Sequence, residues 1–158
     1  MATVGTRTTL ILAAAGGSAA LMLGALAFQY IGGLYPCQMC IWQRYPHVAA
    51  IALGAVALLL PGAARPIAAL GLLAALTTSG IGFFHAGVEQ GWWEGVTACA
   101  GGSNASALST DDLLAQIMEA PLVRCDEIAW SLFGISMAGW NAILSLVLAA
   151  LWWKALKA

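Results

Sequence analysis

The stretch Tyr35-Pro36-Cys37-Gln38-Met39-Cys40-Ile41-Trp42-Gln43-Arg44 places a Cys-x-x-Cys pair and one cation between two long apolar segments. The sulfurs of such a pair are close enough to close a small ring, and the attacking thiol usually has a lowered pKa. The pair can therefore cycle between dithiol and disulfide. Because it lies beside apolar sequence, the stretch indicates redox chemistry at the face of a membrane.

The composition identifies the class of protein. Of the 158 residues, 61% are hydrophobic and only 8% are charged, whereas soluble domains contain about 45 to 50% apolar residues. A helical span needs roughly 20 apolar residues to cross about 30 Å of hydrocarbon. The sequence therefore predicts an integral membrane protein with a single domain, residues 1–158, that contacts the lipid bilayer and binds no nucleic acid.

Four apolar stretches qualify as spans, at about residues 9–31, 45–60, 66–86 and 135–153. The second is short, and it reaches full length only if part of the segment from Cys40 to Arg44 joins a helix that contains Pro46. Short connections predict antiparallel neighbours, so the expected fold is all-α, an up-down four-helix bundle. The outer loops are then about residues 32–44 and 87–134.

The positive charges predict the orientation, because Lys and Arg near span ends prefer the cytoplasmic side. Arg7, Arg65, Lys154 and Lys157 all fall on one face of a four-span protein, so both termini are predicted to be cytoplasmic. All four cysteines fall on the opposite face, in the periplasm, where disulfides persist. The alternative is a cleaved signal peptide with the small triplet Ala25-Leu26-Ala27 at its end, which would leave three spans.

The long second loop contains two further cysteines, Cys99 and Cys125. Between them, Ser109-Thr110-Asp111-Asp112 is typical of a helix start, and apolar residues follow on one side as far as Pro121. We therefore expect a short amphipathic helix on the membrane surface in this periplasmic loop. Four cysteines allow three pairings, and the sequence leaves all three open.

Arg44 is the candidate partner of a cysteine thiolate. If the second span begins near Cys40, Arg44 follows four residues later on the same face and stabilises a Cys40 thiolate. If the helix begins at Pro46, Arg44 approaches from a loop, or it extends towards lipid headgroups. An arginine within a span costs about 2.5 to 3.5 kcal/mol on insertion scales, which favours a functional role.

Two other uses of the cysteines compete with redox chemistry. A zinc site would need more ligands, but Cys99 and Cys125 do not form a second Cys-x-x-Cys, and His47 and His85 lie in or beside apolar spans. We therefore expect no metal. A disulfide-stapled scaffold without enzymatic activity would explain the downstream pair. It would not explain the Cys-x-x-Cys, because closing so small a ring removes little unfolded-state entropy.

The chain resembles the DsbB family of bacterial disulfide bond formation proteins. The resemblance rests on residues 36–44, on the pair Cys99 and Cys125, and on Gly134-Ile135-Ser136-Met137-Ala138-Gly139-Trp140. It covers essentially the whole chain in order, spacing and topology. It implies a quinone-dependent protein-disulfide oxidoreductase of the bacterial inner membrane, whose redox-active centre couples periplasmic disulfide bond formation, a chaperone-like task, to electron transport.

The resemblance also implies a role for each cysteine. Cys99 would be attacked by a reduced periplasmic DsbA-like oxidase with a thioredoxin fold, and Cys125 would pass the electrons on by attacking Cys37. Cys40 would leave as a thiolate beside a quinone, either ubiquinone or menaquinone, from the membrane pool. Arg44 would contact the quinone and stabilise this thiolate.

The same resemblance places His85 and Met137 near the quinone ring. As residues considered alone, a histidine at a span end is more often hydrogen-bonded and structural, and a methionine more often packs within a bundle. A vitamin K epoxide reductase-like enzyme is the nearest alternative, because it also combines four helices, paired cysteines and quinone chemistry.

Overall fold

The computed structural model describes residues 4–95 and 123–158, which form four long helices. The helices are α1 Val4–Tyr30, α2 Gln38–Leu59, α3 Ala64–Glu89 and α4 Met137–Lys157. A short 3-10 helix, Pro61–Ala63, joins α2 to α3, and a two-stranded antiparallel hairpin, β1 Ser131–Leu132 and β2 Ile135–Ser136, precedes α4. Cys99 and the predicted amphipathic helix lie outside the described residues.

Three of the described helices, α1, α3 and α4, are long and apolar enough to cross a membrane. α2 is less hydropathic because its first half carries polar side chains, among them Gln43, Arg44 and His47. The chain is therefore a helical membrane protein in which a fourth, more polar helix packs with three apolar ones. Three of the four predicted spans thus correspond to helices that are long and apolar enough to cross a membrane, and α2 packs with them. That all four span the bilayer stays a prediction.

Small residues allow the helices to approach one another closely. α1 and α3 each pack against both α2 and α4. Gly54 of α2 lies against Ala15 of α1, and Gly71 of α3 lies against the fully buried ring of Trp152 in α4. Lipid tails are as apolar as the helices themselves, so such van der Waals packing, rather than the hydrophobic effect, favours their association.

α2 begins earlier than the predicted start at residue 45. Its first helical residue is Gln38, and Cys37 is its N-cap, with Sγ accepting a hydrogen bond from the Cys40 N–H at 3.3 Å. The helix therefore includes the whole segment from Cys40 to Arg44. The helix thus starts before the span predicted at about residue 45, and the longer helix that contains Pro46 is the one observed. Where the span itself begins stays a prediction.

Near Pro46, which lies inside α2, a neighbouring helix donates a hydrogen bond to the backbone of α2. A proline removes one helical N–H and crowds the preceding turn. The Thr78 hydroxyl of α3 donates a hydrogen bond to the Gln43 carbonyl in that turn, at 3.0 Å. Serine and threonine side chains commonly stabilise prolines in membrane helices in this way.

α4 begins at Met137, slightly after the predicted start, because the preceding residues form the hairpin. Ser136 caps the helix by accepting a hydrogen bond from the Gly139 N–H at 3.2 Å. The hairpin turn consists of Phe133 and Gly134, which both have positive φ, 54° and 77°. Two positive φ values are the signature of a type I′ turn. The sequence analysis did not predict this hairpin.

We predict that Gly71→Ala destabilises the protein. The added methyl group would overlap the Trp152 ring, and overpacking of this kind typically costs about 1 to 3 kcal/mol. The midpoint of thermal unfolding in detergent, followed by tryptophan fluorescence, should fall. Gly80→Ala is the matched control, because a methyl group at this position of the same helix meets nothing within 4 Å. Equal midpoints for the two variants would contradict the prediction.

Candidate redox site

Two cysteine thiols lie together at the start of α2. The Sγ atoms of Cys37 and Cys40 are 3.2 Å apart, compared with about 2.05 Å in a closed disulfide. Cys37 is buried, with 5% of its surface exposed, and Cys40 is half-buried. The N-cap geometry of Cys37 therefore holds the pair in a position from which only a small movement forms the disulfide.

The surroundings of Cys37 distinguish it from its partner. The hydrogen bond to Cys40, together with burial, raises the pKa of Cys37 to about 12, although His85 opposes the shift. In the reduced pair, Cys37 therefore remains a thiol at neutral pH, with its sulfur within hydrogen-bonding distance of the Cys40 sulfur.

His85 of α3 lies against the buried side of the pair. Its Nε2 is 3.5 Å from Cys37 Sγ and 3.9 Å from Glu89 Oε1. The sulfur atoms of Cys37 and Cys40 and a ring nitrogen of His85 all lie within 4.8 Å of one another. Among the described residues this is the group whose spacing would suit a metal ion, so the expectation of no metal stays a prediction.

Cys125 packs beside the same pair. It is half-buried and contacts the small apolar cluster formed around Cys37. Its neighbour Arg124 forms an ion pair with Asp126 and holds the pKa of that carboxyl group below its ordinary value. The structure thus places the third described cysteine close to the Cys-x-x-Cys pair.

A cavity of about 420 Å³ opens beside the cysteine pair. Its walls come mainly from α1, α2, α4 and residues 123–132, and most of the lining side chains are apolar. Its volume is within the usual range for small-molecule sites. Its polar lining residues include Gln43, Arg44, His47, Glu89 and Asn141.

Arg44 is held at the cavity wall by α1. Its Nη1 donates a hydrogen bond to Gln29 Oε1 at 2.6 Å. Because α2 begins at Gln38, Arg44 follows Cys40 by one helical turn, and both residues line the cavity. The guanidinium is therefore positioned by a second helix.

The structure brings together most of the predicted site residues. Five of the seven line this one cavity: Cys37, Cys40, Arg44, His85 and Met137. Cys125 packs against the cluster around Cys37, and Cys99 lies outside the described residues. The catalytic and binding roles of these seven residues stay predictions.

Three polar residues of the site were missed from the sequence. Gln43 and Asn141 are hydrogen-bonded to each other across α2 and α4, and Glu89 ends α3 beside His85. The available signal was a polar residue within an apolar helix, which is costly in a membrane and often functional. This signal identifies Arg44 clearly, whereas it is weaker for Gln43 and Asn141, which are uncharged, and for Glu89, which lies at a helix end.

These features define a helical membrane protein that carries a redox-capable dithiol beside an apolar cavity. The sequence matches the family model described as "Disulfide bond formation protein DsbB" over residues 7–155. The chain belongs to the DsbB family. Members of this family are bacterial inner membrane proteins that take part in disulfide bond formation.

Individual relatives agree with the family match. The chain is 34% identical over 147 residues to disulfide bond formation protein B of Methylococcus capsulatus. The aligned region covers 87% of this chain and 88% of that protein. It is 32% identical over 133 residues to the protein of the same description in Haemophilus influenzae, covering 80% and 73%. No solved structure shows a significant match.

We predict that Cys40→Ser makes Cys37 more reactive. The substitution removes the main cause of the raised pKa of Cys37 and leaves its burial, so more thiolate is present at a given pH. Alkylation of Cys37, followed by peptide mass spectrometry, should be faster than in the reduced wild type. The wild-type rate should rise about tenfold per pH unit from pH 7 to 10 without a plateau.

Cys125→Ser is the matched control for this experiment, because it removes a nearby thiol but keeps the Cys37–Cys40 contact. Its alkylation rate at Cys37 should stay close to that of the wild type. If Cys37 is alkylated no faster in Cys40→Ser than in this control, the hydrogen bond to Cys40 does not raise the pKa of Cys37.

Proposed function

We propose that this protein is a quinone-dependent thiol oxidase. It reoxidises a periplasmic DsbA-like dithiol oxidase and passes the electrons to the quinone pool of the membrane. The observation that carries the proposal is the position of the Cys37–Cys40 pair against an apolar cavity of about 420 Å³. A scaffold disulfide would need no such cavity.

The proposed arrangement in the membrane is an up-down bundle in which all four helices span the bilayer. Arg7, Arg65 and Lys154 lie at the helix ends remote from the cysteine pair. Because positive residues near span ends prefer the cytoplasmic side, both termini are then cytoplasmic. The cysteine pair, at the other end of the bundle, faces the periplasm, where it meets the partner oxidase.

The relay consists of four thiol–disulfide exchanges. In the first, the partner's thiolate attacks Cys99 of a Cys99–Cys125 disulfide, and the electron pair of the broken bond passes to Cys125. In the second, the Cys125 thiolate attacks Cys37 of the Cys37–Cys40 disulfide, forming a Cys125–Cys37 bond and releasing Cys40 as a thiolate. The packing of Cys125 against the cluster that contains Cys37 supports this second exchange.

The last two exchanges resolve the mixed disulfides. The partner's second thiolate attacks the partner's own sulfur in its bond to Cys99, which closes the partner's disulfide and releases Cys99 as a thiolate. The Cys99 thiolate then attacks Cys125 of the Cys125–Cys37 bond, which re-forms the Cys99–Cys125 disulfide and releases Cys37. The dithiol of Cys37 and Cys40 is then left to be reoxidised.

The energetics require an electron acceptor outside the chain. A DsbA-type partner has a reduction potential of about −120 mV, and structural disulfides have reduction potentials below about −300 mV. Reoxidation of the partner by a structural disulfide would therefore be unfavourable by roughly 8 kcal/mol, because a difference of about 180 mV applies to two electrons. In the bacterial periplasm, DsbA and DsbB keep the compartment oxidising because quinone supplies such an acceptor.

The cavity has the chemistry to hold a quinone ring. Arg44 can donate hydrogen bonds to a ring oxygen, and Met137 offers an apolar side chain at the wall. Glu89 Oε2 is buried and has no hydrogen-bond partner among the described residues. A carboxylate oxygen only accepts, so a hydroxyl of the quinol product would satisfy it, whereas a quinone oxygen would not. A bound quinone would supply an acceptor for two electrons and two protons as Cys37 and Cys40 re-form their disulfide.

We predict that the oxidised protein catalyses quinol formation when it is mixed anaerobically with a reduced DsbA-like protein and a soluble quinone. Absorbance follows the reaction. Cys40→Ser should abolish it, because the variant lacks the dithiol that reduces the quinone and cannot close the Cys37–Cys40 disulfide. Thr77→Val should be unaffected, because Thr77 is exposed, lies outside the cavity lining and donates its hydroxyl hydrogen to the Leu73 carbonyl of the same helix.

The other outcomes of this assay favour the alternatives. No quinone reduction with any partner or quinone tested would leave the disulfide-stapled scaffold as the better account. Net electron transfer in the opposite direction, from quinol to the partner's disulfide, would favour the hypothesis of a vitamin K epoxide reductase-like enzyme.

We predict that Arg44→Met lowers kcat/KM for the quinone about 10- to 150-fold, because a hydrogen bond from a charged group contributes about 1.5 to 3 kcal/mol. Arg65→Met is the matched control, since it makes the same substitution at the start of α3, remote from the cavity. Quinol formation measured against quinone concentration gives both values. Equal losses in the two variants would remove Arg44 from the quinone site.

A further inference from the structure

A buried hydrogen-bond network runs beside the cysteine pair, and the relay described above does not use it. His47 Nε2 lies 2.9 Å from Asn141 Oδ1, Asn141 Nδ2 lies 2.7 Å from Gln43 Oε1, and Gln43 Nε2 lies 2.9 Å from His85 Nδ1. Gln43 and both histidines are at most 6% exposed. The network therefore links α2, α3 and α4 inside an apolar bundle, where unpaired polar groups are costly.

Groups on Thr78 determine the orientation of the Asn141 amide. Asn141 Nδ2 lies 3.4 Å from the Thr78 carbonyl oxygen, which can only accept a hydrogen bond. It also lies 3.2 Å from Thr78 Oγ1, whose own hydrogen is donated to the Gln43 carbonyl. The amide nitrogen must therefore face Thr78, and Oδ1 must face His47. His47 consequently carries its proton on Nε2 and donates it to Asn141.

The Met39 carbonyl orients the Gln43 amide in the same way. Gln43 Nε2 donates one hydrogen to Met39 O at 3.1 Å, so its second hydrogen points to His85 Nδ1. Asn141 Nδ2 donates to Gln43 Oε1, which agrees with this orientation. His85 Nδ1 is therefore an acceptor, and the neutral ring carries its proton on Nε2.

The protonated nitrogen of His85 faces the redox pair. Its Nε2 lies 3.5 Å from Cys37 Sγ, within the range of a hydrogen bond to sulfur. The other groups near the ring are Cys40, whose sulfur lies within 4.8 Å of a ring nitrogen, Glu89, whose Oε1 is 3.9 Å from Nε2, and Cys125, to whose backbone the ring also hydrogen-bonds. Among the described cysteine sulfurs, Cys37 Sγ is the one within hydrogen-bonding distance of Nε2.

We propose that Gln43, oriented by Asn141, is a positioning residue that locks His85 in the Nε2–H tautomer and makes it a hydrogen-bond donor to Cys37. In this tautomer His85 does not accept the Cys37 proton. Instead, it stabilises negative charge on the Cys37 sulfur when this thiol gives up its proton and closes the disulfide with Cys40, the proton and the electron pair passing to the quinone of the proposed function. This role in turnover rests on the proposed function, whereas the tautomer itself does not.

The tautomer can be measured directly, because the chain contains only two histidines. NMR of the reduced protein in detergent, with ¹⁵N-labelled histidine, separates protonated from unprotonated ring nitrogens, and His47→Gln assigns the two rings. Both rings should carry their proton on Nε2 at pH 8. A wild-type His85 with a protonated Nδ1 would overturn the proposal. The spectrum needs neither quinone nor partner, so failure of the proposed function leaves this test intact.

Gln43→Glu tests whether Gln43 fixes the His85 tautomer. The new side chain is nearly isosteric, but its carboxylate can only accept hydrogen bonds. His85 should switch to the Nδ1–H tautomer, and its bare Nε2 should then face Cys37. Loss of this donor should slow the alkylation of Cys37 about 3- to 10-fold at constant pH. A folded variant that keeps the Nε2–H tautomer, or the wild-type alkylation rate, would contradict the proposal. If the variant fails to fold, the wild-type spectrum decides.

Ser79→Ala is the matched control for the network. Ser79 is buried and donates a hydrogen bond from α3 to the Ala142 carbonyl of α4 at 2.9 Å, outside the network. This variant loses one interhelical hydrogen bond without touching Gln43. Both histidine tautomers and the alkylation rate of Cys37 should stay unchanged. A change as large as that in Gln43→Glu would attribute the effect to helix packing.

Discussion

The hydrogen bond from the Cys40 N–H to the Cys37 sulfur is the interaction on which the rest of the site depends. It makes Cys37 the N-cap of α2 and so fixes where this helix begins. Because the helix starts there, the next turns present Gln43, Arg44 and His47 from one continuous rigid element. The same contact brings the two sulfurs to 3.2 Å. A later start would have left the cysteines and Arg44 on a loop with no defined relation to the cavity.

α3 is the element against which this helix is positioned. Thr78 satisfies the Gln43 carbonyl near Pro46, and His85, two turns further along α3, reaches the Cys37 sulfur. Gly82, between them, lies so close to the Ala138 carbonyl of α4 that an added methyl group would approach it to 3.0 Å. The close contact of α3 and α4 places Asn141 within reach of α2. Small residues thus determine the distance at which the polar groups of three helices meet.

The site combines a buried dithiol, a cation and a directed hydrogen-bond network around one apolar cavity. Each charged or polar group is held by a different helix: α1 orients Arg44 through Gln29, and α4 orients Gln43 through Asn141. Such support keeps the reacting groups in place without ordered water, which is scarce inside a bilayer. It also makes the two sulfurs unequal, since Cys37 is the more buried and is held as a thiol by its neighbours.

The sequence by itself determined the membrane class, the approximate helices and the family, because these depend on composition, apolar length and the spacing of cysteines along the chain. It also identified five of the residues that line the cavity, Cys37, Cys40, Arg44, His85 and Met137, although the quinone-related roles came from a resemblance. It left the start of α2 open, since a proline near a span end is compatible with two helix boundaries.

Only the three-dimensional structure decided that boundary, because it shows Cys37 as the N-cap and a helix that continues through Pro46, with Thr78 of α3 donating to the Gln43 carbonyl. The hairpin before α4 and the partnership of Gln43 with Asn141 were likewise decided in three dimensions. A hydrogen bond between residues almost a hundred positions apart has no local pattern in the chain. It exists because helix packing brings the two amides together in a medium that offers them no water.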